Sequence, residues 1–104
     1  NNSANANNYS PGRVNGTRIY TVSAYNQSGV FCTFSNYGTS VDIAAPGQTI
    51  FSTYKNGIYA NMTGTSMACP HVSGVLLVTG GILNSSGNVI NDLDRTAGDP
   101  KVHI

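Results

Sequence analysis

Ser66 is the residue around which this sequence can do chemistry. It stands in Gly64-Thr65-Ser66-Met67-Ala68-Cys69-Pro70-His71-Val72-Ser73-Gly74, where a glycine gives access to the hydroxyl and small Ala68 lets a helix pack closely. A hydroxyl at a loop-to-helix junction lies at the positive end of a helix dipole, which suits a nucleophile that forms an acyl bond. The same junction equally suits a plain helix N-cap, with Thr65 or Ser66 in that role and no chemistry at all. A serine nucleophile needs a base within hydrogen-bond reach and a carboxylate to orient that base. His71 follows five residues later, about 7.5 Å of rise and about 140° of rotation along a helix, so its ring is expected to point away from Ser66 and to be structural. His103 is the other histidine, and Asp42, within Val41-Asp42-Ile43-Ala44-Ala45-Pro46-Gly47, reads as structural.

The elements that must position Ser66 follow from periodicity and punctuation. Met67, Ala68, Val72, Val75, Leu76 and Val78 recur with one broad apolar helical surface, and Gly80-Gly81 should stop that helix. Ahead of it, 49–54 and 58–62 read as short strands joined through Lys55-Asn56-Gly57. The β-branched and aromatic run 18–25 is a strand, followed by a second at 30–35 after a loop of hairpin length. Val41 to Ala45 is a short apolar strand running into Pro46-Gly47, a pair favoured at the centre of a type II turn. Residues 1–17 and 92–100 read as loop, and Ile82-Leu83 with Val89-Ile90 as two short strands around the turn 84–88. One helix among many strands excludes a helical bundle and leaves part of an α/β sheet or an all-β module. No internal repeat appears at any period that would signal a solenoid or a propeller.

Composition narrows the function classes. The 104 residues suit one domain or part of one. Only 9% are charged and the formal net charge is +1, with no basic block, so neither nucleic-acid nor anionic-membrane binding has an electrostatic basis. The apolar stretch 72–83 is too short and too polar to cross a bilayer. No leader opens the chain, which starts with Asn, so it reads as a processed piece or a fragment. Cys32 and Cys69 allow one disulfide at most, match no metal-site spacing and most simply are two small buried thiols. Six Asn-x-Ser/Thr sequons arise readily in a chain with 13 Asn and do not by themselves establish glycosylation.

Residues 64–74 resemble, position by position, the serine-nucleophile signature of the subtilisin-like serine proteases, the subtilases. Phe34-Ser35-Asn36-Tyr37-Gly38 and 41–47 resemble the segments that precede it there, and the likeness covers about residues 9 to 79. The resemblance implies an α/β, partial subtilisin-like fold: the C-terminal part of the sheet with the nucleophile helix, the N-terminal part missing. Residues 1–104 would then be a C-terminal fragment of a subtilase catalytic domain. The triad order in that family is Asp, His, Ser, which places the Asp and His motifs upstream of residue 1. Ser66 becomes the catalytic nucleophile of a secreted serine endopeptidase acting on proteins or peptides. Asn1, at the position that follows an Ala-Ala-Gly in the family, becomes a candidate oxyanion-hole donor, and Met62 a candidate for the leaving-group side of the cleft. No metal and no cofactor are expected, since no acidic cluster has calcium-ligand spacing. The only implied partners are a protein or peptide substrate and the missing N-terminal part of the same domain. The alternative is a non-catalytic peptide-binding or degenerate subtilase module. Beyond Gly80 the resemblance weakens.

Overall fold

The computed structural model describes residues 1–94 and 97–104. Its centre is a parallel pair of short strands, β1 (Val22–Tyr25) and β2 (Ile43–Pro46), in register from Val22 opposite Ile43 to Tyr25 opposite Pro46. Strands covered on both faces need small or apolar side chains throughout. Ser23, Ala24, Ala44 and Ala45 meet that demand and are fully buried. Alternation along β2 sends Ile43 and Ala45 into a core with Ala24, Cys32, Ala68 and Val72, and Ala44 into a second cluster with Phe31 and Val89 on the other face.

The chain leaves β2 into an antiparallel hairpin, β3 (Ile50–Tyr54) and β4 (Ile58–Met62), which forms a separate two-stranded sheet. Its turn at Lys55–Gly57 works because Asn56 and Gly57 adopt φ of 62° and 70°, the left-handed geometry that Asn-Gly supplies at least cost. Helix α1 (Thr65–Thr79) follows and packs Ala68, Val72 and Val75 against the parallel strands. Gly80, at φ 71°, closes it, and the Gly81 N–H reaches back to the Leu76 carbonyl at 2.8 Å. The helix is apolar nearly all round: Leu77 and Val78 are 84% and 73% exposed on the side away from the strands. Two more strands complete the four-stranded sheet, β5 (Asn84–Asn88) and β6 (Pro100–His103), in the order β1-β2-β6-β5. Among the described residues no helix is long and apolar enough to cross a membrane.

Several sequence expectations change. Residues 30–35 are not a strand. The Asn26 N–H donates to the Val30 carbonyl, the Phe31 N–H to Ile90 and the Cys32 N–H to Ala24, so the segment contacts three partners and forms no ladder. It lies over the outer edge of β1, where the Ser35 hydroxyl also accepts from the Ala24 N–H at 3.1 Å. The expected hairpin around 84–88 is inverted, because Asn84–Asn88 is itself the strand and pairs antiparallel with β6. Of the expected loop 92–100, positions 95 and 96 lie outside the described residues. The others are loop except for Pro100, which starts β6, the place in a strand that proline tolerates. The 18–25 run is strand only from Val22, since Arg18 takes φ 63° in a turn closed between Gly16 and Ile19.

Candidate active site

Ser66 is the second residue of α1 and is exposed. The N-cap is Gly64, at φ 153° and ψ 165°, a conformation open to glycine alone, and it offers no side-chain cap. Neither Thr65 nor Ser66 is therefore the N-cap residue. The backbone turn into the helix is pinned from β2: the Gly64 N–H donates to the Gly47 carbonyl at 2.8 Å, and the Gly47 N–H donates to the Tyr25 carbonyl at 3.0 Å. Gly47 is needed for proximity. A Cβ there would lie 2.6 Å from the Ala24 Cβ and 2.9 Å from the Gly64 carbonyl oxygen. Pro46-Gly47 thus extends the parallel pairing instead of forming a free turn, and the Ser66 junction rests directly on the buried strands.

The first helical N–H has a partner from far away in sequence. The Asn1 side-chain oxygen accepts from the Thr65 N–H at 2.8 Å and from the Thr65 hydroxyl at 3.0 Å. Residues 1–6 reach this point because they are stitched to the 33–37 segment, with the Asn2 N–H on the Asn36 side-chain oxygen, the Ser3 N–H on the Phe34 carbonyl and the Ala6 N–H on the Tyr37 carbonyl. With its oxygen held twice, the Asn1 amide keeps its NH₂ as the donating end at the start of the helix. Sequence spacing alone could not have shown a contact between positions so far apart in the chain.

Ser66 borders a groove of about 370 Å³ between the hairpin and the start of α1, lined by Ile50, Phe51, Met62, Met67, Pro70 and His71 among others. Met62 thus does face the groove. His71 also borders it, so the groove extends from Ser66 past Met67 and Pro70 round the first turns of the helix. Its Nδ1, however, is 2.8 Å from the Met67 carbonyl, the oxygen one turn back, where only an N–H can bond. Pro70 has no N–H to give to the Ser66 carbonyl, so that first turn lacks one helical hydrogen bond. Asp42 lies apart from the groove, its carboxylate accepting from the Thr21 N–H at 2.8 Å. His103 borders a different cleft, formed by β6 and the middle of α1. Both cysteines are free thiols, Cys32 buried and Cys69 exposed, so the reading of two buried thiols holds for one of them.

Comparison with known proteins decides the family. The subtilase family profile matches residues 1–89. This chain belongs to the subtilase family. Thermitase of Thermoactinomyces vulgaris is 42% identical over 76 residues, 73% of this chain and 27% of that protein. A subtilisin-like protease of Coccidioides posadasii is 43% identical over 98 residues, 91% of this chain and 24% of that protein. An extracellular protease of Xanthomonas campestris pv. campestris is 40% identical over 70 residues, 61% and 12% of the two chains. Among solved structures, a cold-adapted subtilisin-like serine proteinase aligns with a TM-score of 0.75 at 36% identity, covering 98% of this chain and 41% of that one. The subtilase chain therefore spans about a quarter of the curated relatives it matches over most of its length. The α/β, partial subtilisin-like architecture is the one those structures share.

Proposed function

We propose that residues 1–104 are the C-terminal, nucleophile-bearing part of a subtilase catalytic domain, and that the parent protein is a secreted serine endopeptidase. The observation that carries this reading is the pairing of an exposed Ser66 at the mouth of a groove with the Asn1 amide anchored on the adjacent Thr65. In the reaction, Ser66 Oγ bonds to the scissile carbonyl carbon while its proton passes to a histidine. The carbon–nitrogen bond then breaks and the amine leaves with that proton. Water, activated by the same histidine, releases the acyl group. The Asn1 NH₂ donates to the oxyanion that forms on the substrate oxygen.

The base comes from residues outside 1–104. In the family order Asp, His, Ser the base belongs to a motif ahead of the nucleophile, whereas His71 and His103 both follow Ser66. The exposed Leu77 and Val78 support the fragment reading, since large apolar side chains on a helix face that meets no other element are suited to covering by a larger domain. Secretion is supported by the relative named an extracellular protease. The test is labelling of the intact parent with a fluorophosphonate. A single labelled serine, Ser66, with labelling lost in Ser66→Ala, is expected. Label spread over several serines, or none in folded parent, overturns the reading.

A further inference from the structure

Asn1 and Ser66 come together from distant parts of the chain, and hydrogen bonds trace both of them back to β1. The route to Ser66 runs from the Tyr25 carbonyl through Gly47 to Gly64. The route to Asn1 starts one residue earlier. The Ala24 N–H donates to the Ser35 hydroxyl at 3.1 Å, and that fully buried hydroxyl donates in turn to the Asn36 carbonyl at 3.1 Å. Asn36, half-buried, presents its side-chain oxygen to the segment that follows Asn1, accepting from the Asn2 N–H at 2.8 Å and from the Ala4 N–H at 3.3 Å. The Asn2 N–H belongs to the stiff peptide plane that leaves the Asn1 Cα, so a bond to it restrains the backbone from which the Asn1 side chain sets out. The other end of that side chain rests on Thr65. Further along, the Ser3 N–H on the Phe34 carbonyl and the Ala6 N–H on the Tyr37 carbonyl hold residues 3–6 through backbone acceptors. Loss of the Asn36 amide would therefore be felt first at the Asn1–Asn2 plane.

We infer that Asn36 is a positioning residue for the Asn1 oxyanion donor. It acts by fixing the peptide plane beside Asn1, so that nucleophile and donor are both set from adjacent residues of one buried strand. The Thr65 contacts hold the Asn1 oxygen, and the Asn36 contact holds the backbone behind it. With both ends fixed, the NH₂ keeps one direction. That direction matters, because an oxyanion donor must be aimed at where charge develops, and a misplacement of about 1 Å can cost about 10² in rate. The inference rests on the proposed role of Asn1.

The test uses the parent protein, with steady-state kinetics on a peptide substrate and thermal unfolding measured side by side. Asn36→Ala is expected to lower kcat by about tenfold to a hundredfold while KM holds. Asn36→Asp, which keeps an oxygen acceptor at the same reach, is expected to recover most of that loss. In an Asn1→Ala background, where no amide remains to be aimed, Asn36→Ala should lower kcat by less than about a further twofold. A merely structural role would lower kcat by the same factor in both backgrounds, or lower the unfolding temperature and leave kcat alone. Either result overturns the inference. If Asn36→Ala does not fold, Asn36→Gln takes its place with the same expectations, since its amide is carried one methylene out of register with the Asn2 N–H. Fluorophosphonate labelling of the unmodified parent separates the two readings. A reactive Ser66, with a kcat that falls on Asn1→Ala but not on Asn36→Ala, defeats the positioning role alone, whereas an unreactive Ser66 in folded parent defeats the protease reading itself.

Discussion

The buried strands under α1 and the hairpin beside it treat side chains in opposite ways. Ala24, Ala44, Ala45 and Ala68 are wholly buried, and the backbones around them approach so closely that Gly47 has no room for a methyl group. A short step further along the chain, Phe51 is 67% exposed and stacks on an equally open Tyr59, with ring centroids 5.5 Å apart. The strands use small residues to fix one atom, the Ser66 hydroxyl, through a chain of contacts from Tyr25 to Gly47 to Gly64. The hairpin places large residues on surface that holds nothing else in position. Position is set by the first region, and contact with whatever occupies the groove by the second.

The sharpest way to break this division is at the atom being positioned. Ser66→Ala in the parent should reduce hydrolysis of a peptide substrate to background while leaving the thermal unfolding curve unchanged, because the side chain is exposed and supports no packing. Loss of folding along with activity would make Ser66 a structural residue. Asn1→Ala comes next. Removal of an oxyanion donor costs about 10² to 10³ in kcat, a magnitude established on a subtilisin and transferred here through the family. Steady-state kinetics should show kcat falling while KM holds, whereas a rise in KM alone would make Asn1 a capping residue for Thr65 only.

On the buried side, Gly47→Ala tests proximity. Its new Cβ would stand 2.6 Å from Ala24 and 2.9 Å from a carbonyl, so backbone must shift, as in other overpacked cores, at about 1 to 3 kcal/mol. Denaturant unfolding of the parent measures the loss. Part of it should reappear as reduced kcat, since the same contact holds Gly64. An unchanged midpoint would show that the strands can relax and that Ser66 is positioned by something else.

How far the sequence revealed these regions depended on the range of the interactions involved. Helix α1 and the β3–β4 hairpin were legible because their signals are local: apolar recurrence ended by Gly80, and Asn56-Gly57 at the turn. β5 was not, because Asn84-Ser85-Ser86-Gly87-Asn88 has no strand propensity and owes its conformation to β6, which begins only at Pro100. Residues 30–35 have the composition of a strand, yet their hydrogen bonds divide among Asn26, Ile90 and Ala24. At the candidate site, both Ser66, through the signature 64–74, and Asn1 became candidates by the family likeness. The Gly47 contact was invisible, since Pro-Gly signals a turn and nothing local reports that β1, far upstream, lies alongside.

The smallest effect is expected where exposure is greatest. Phe51→Ala removes one ring of the stacked pair, but that ring is mostly in water and its partner Tyr59 is nearly as open. Stability should fall by less than about 1 kcal/mol, within the range of an aromatic pair that gains little from burial. The ring also borders the Ser66 groove, so its removal should act on substrate binding more than on folding. In the parent, KM for peptides with apolar residues near the scissile bond should rise while kcat for a minimal ester substrate stays level. If denaturation shows a loss as large as that for Gly47→Ala, the hairpin is part of the scaffold and the division between the two regions fails.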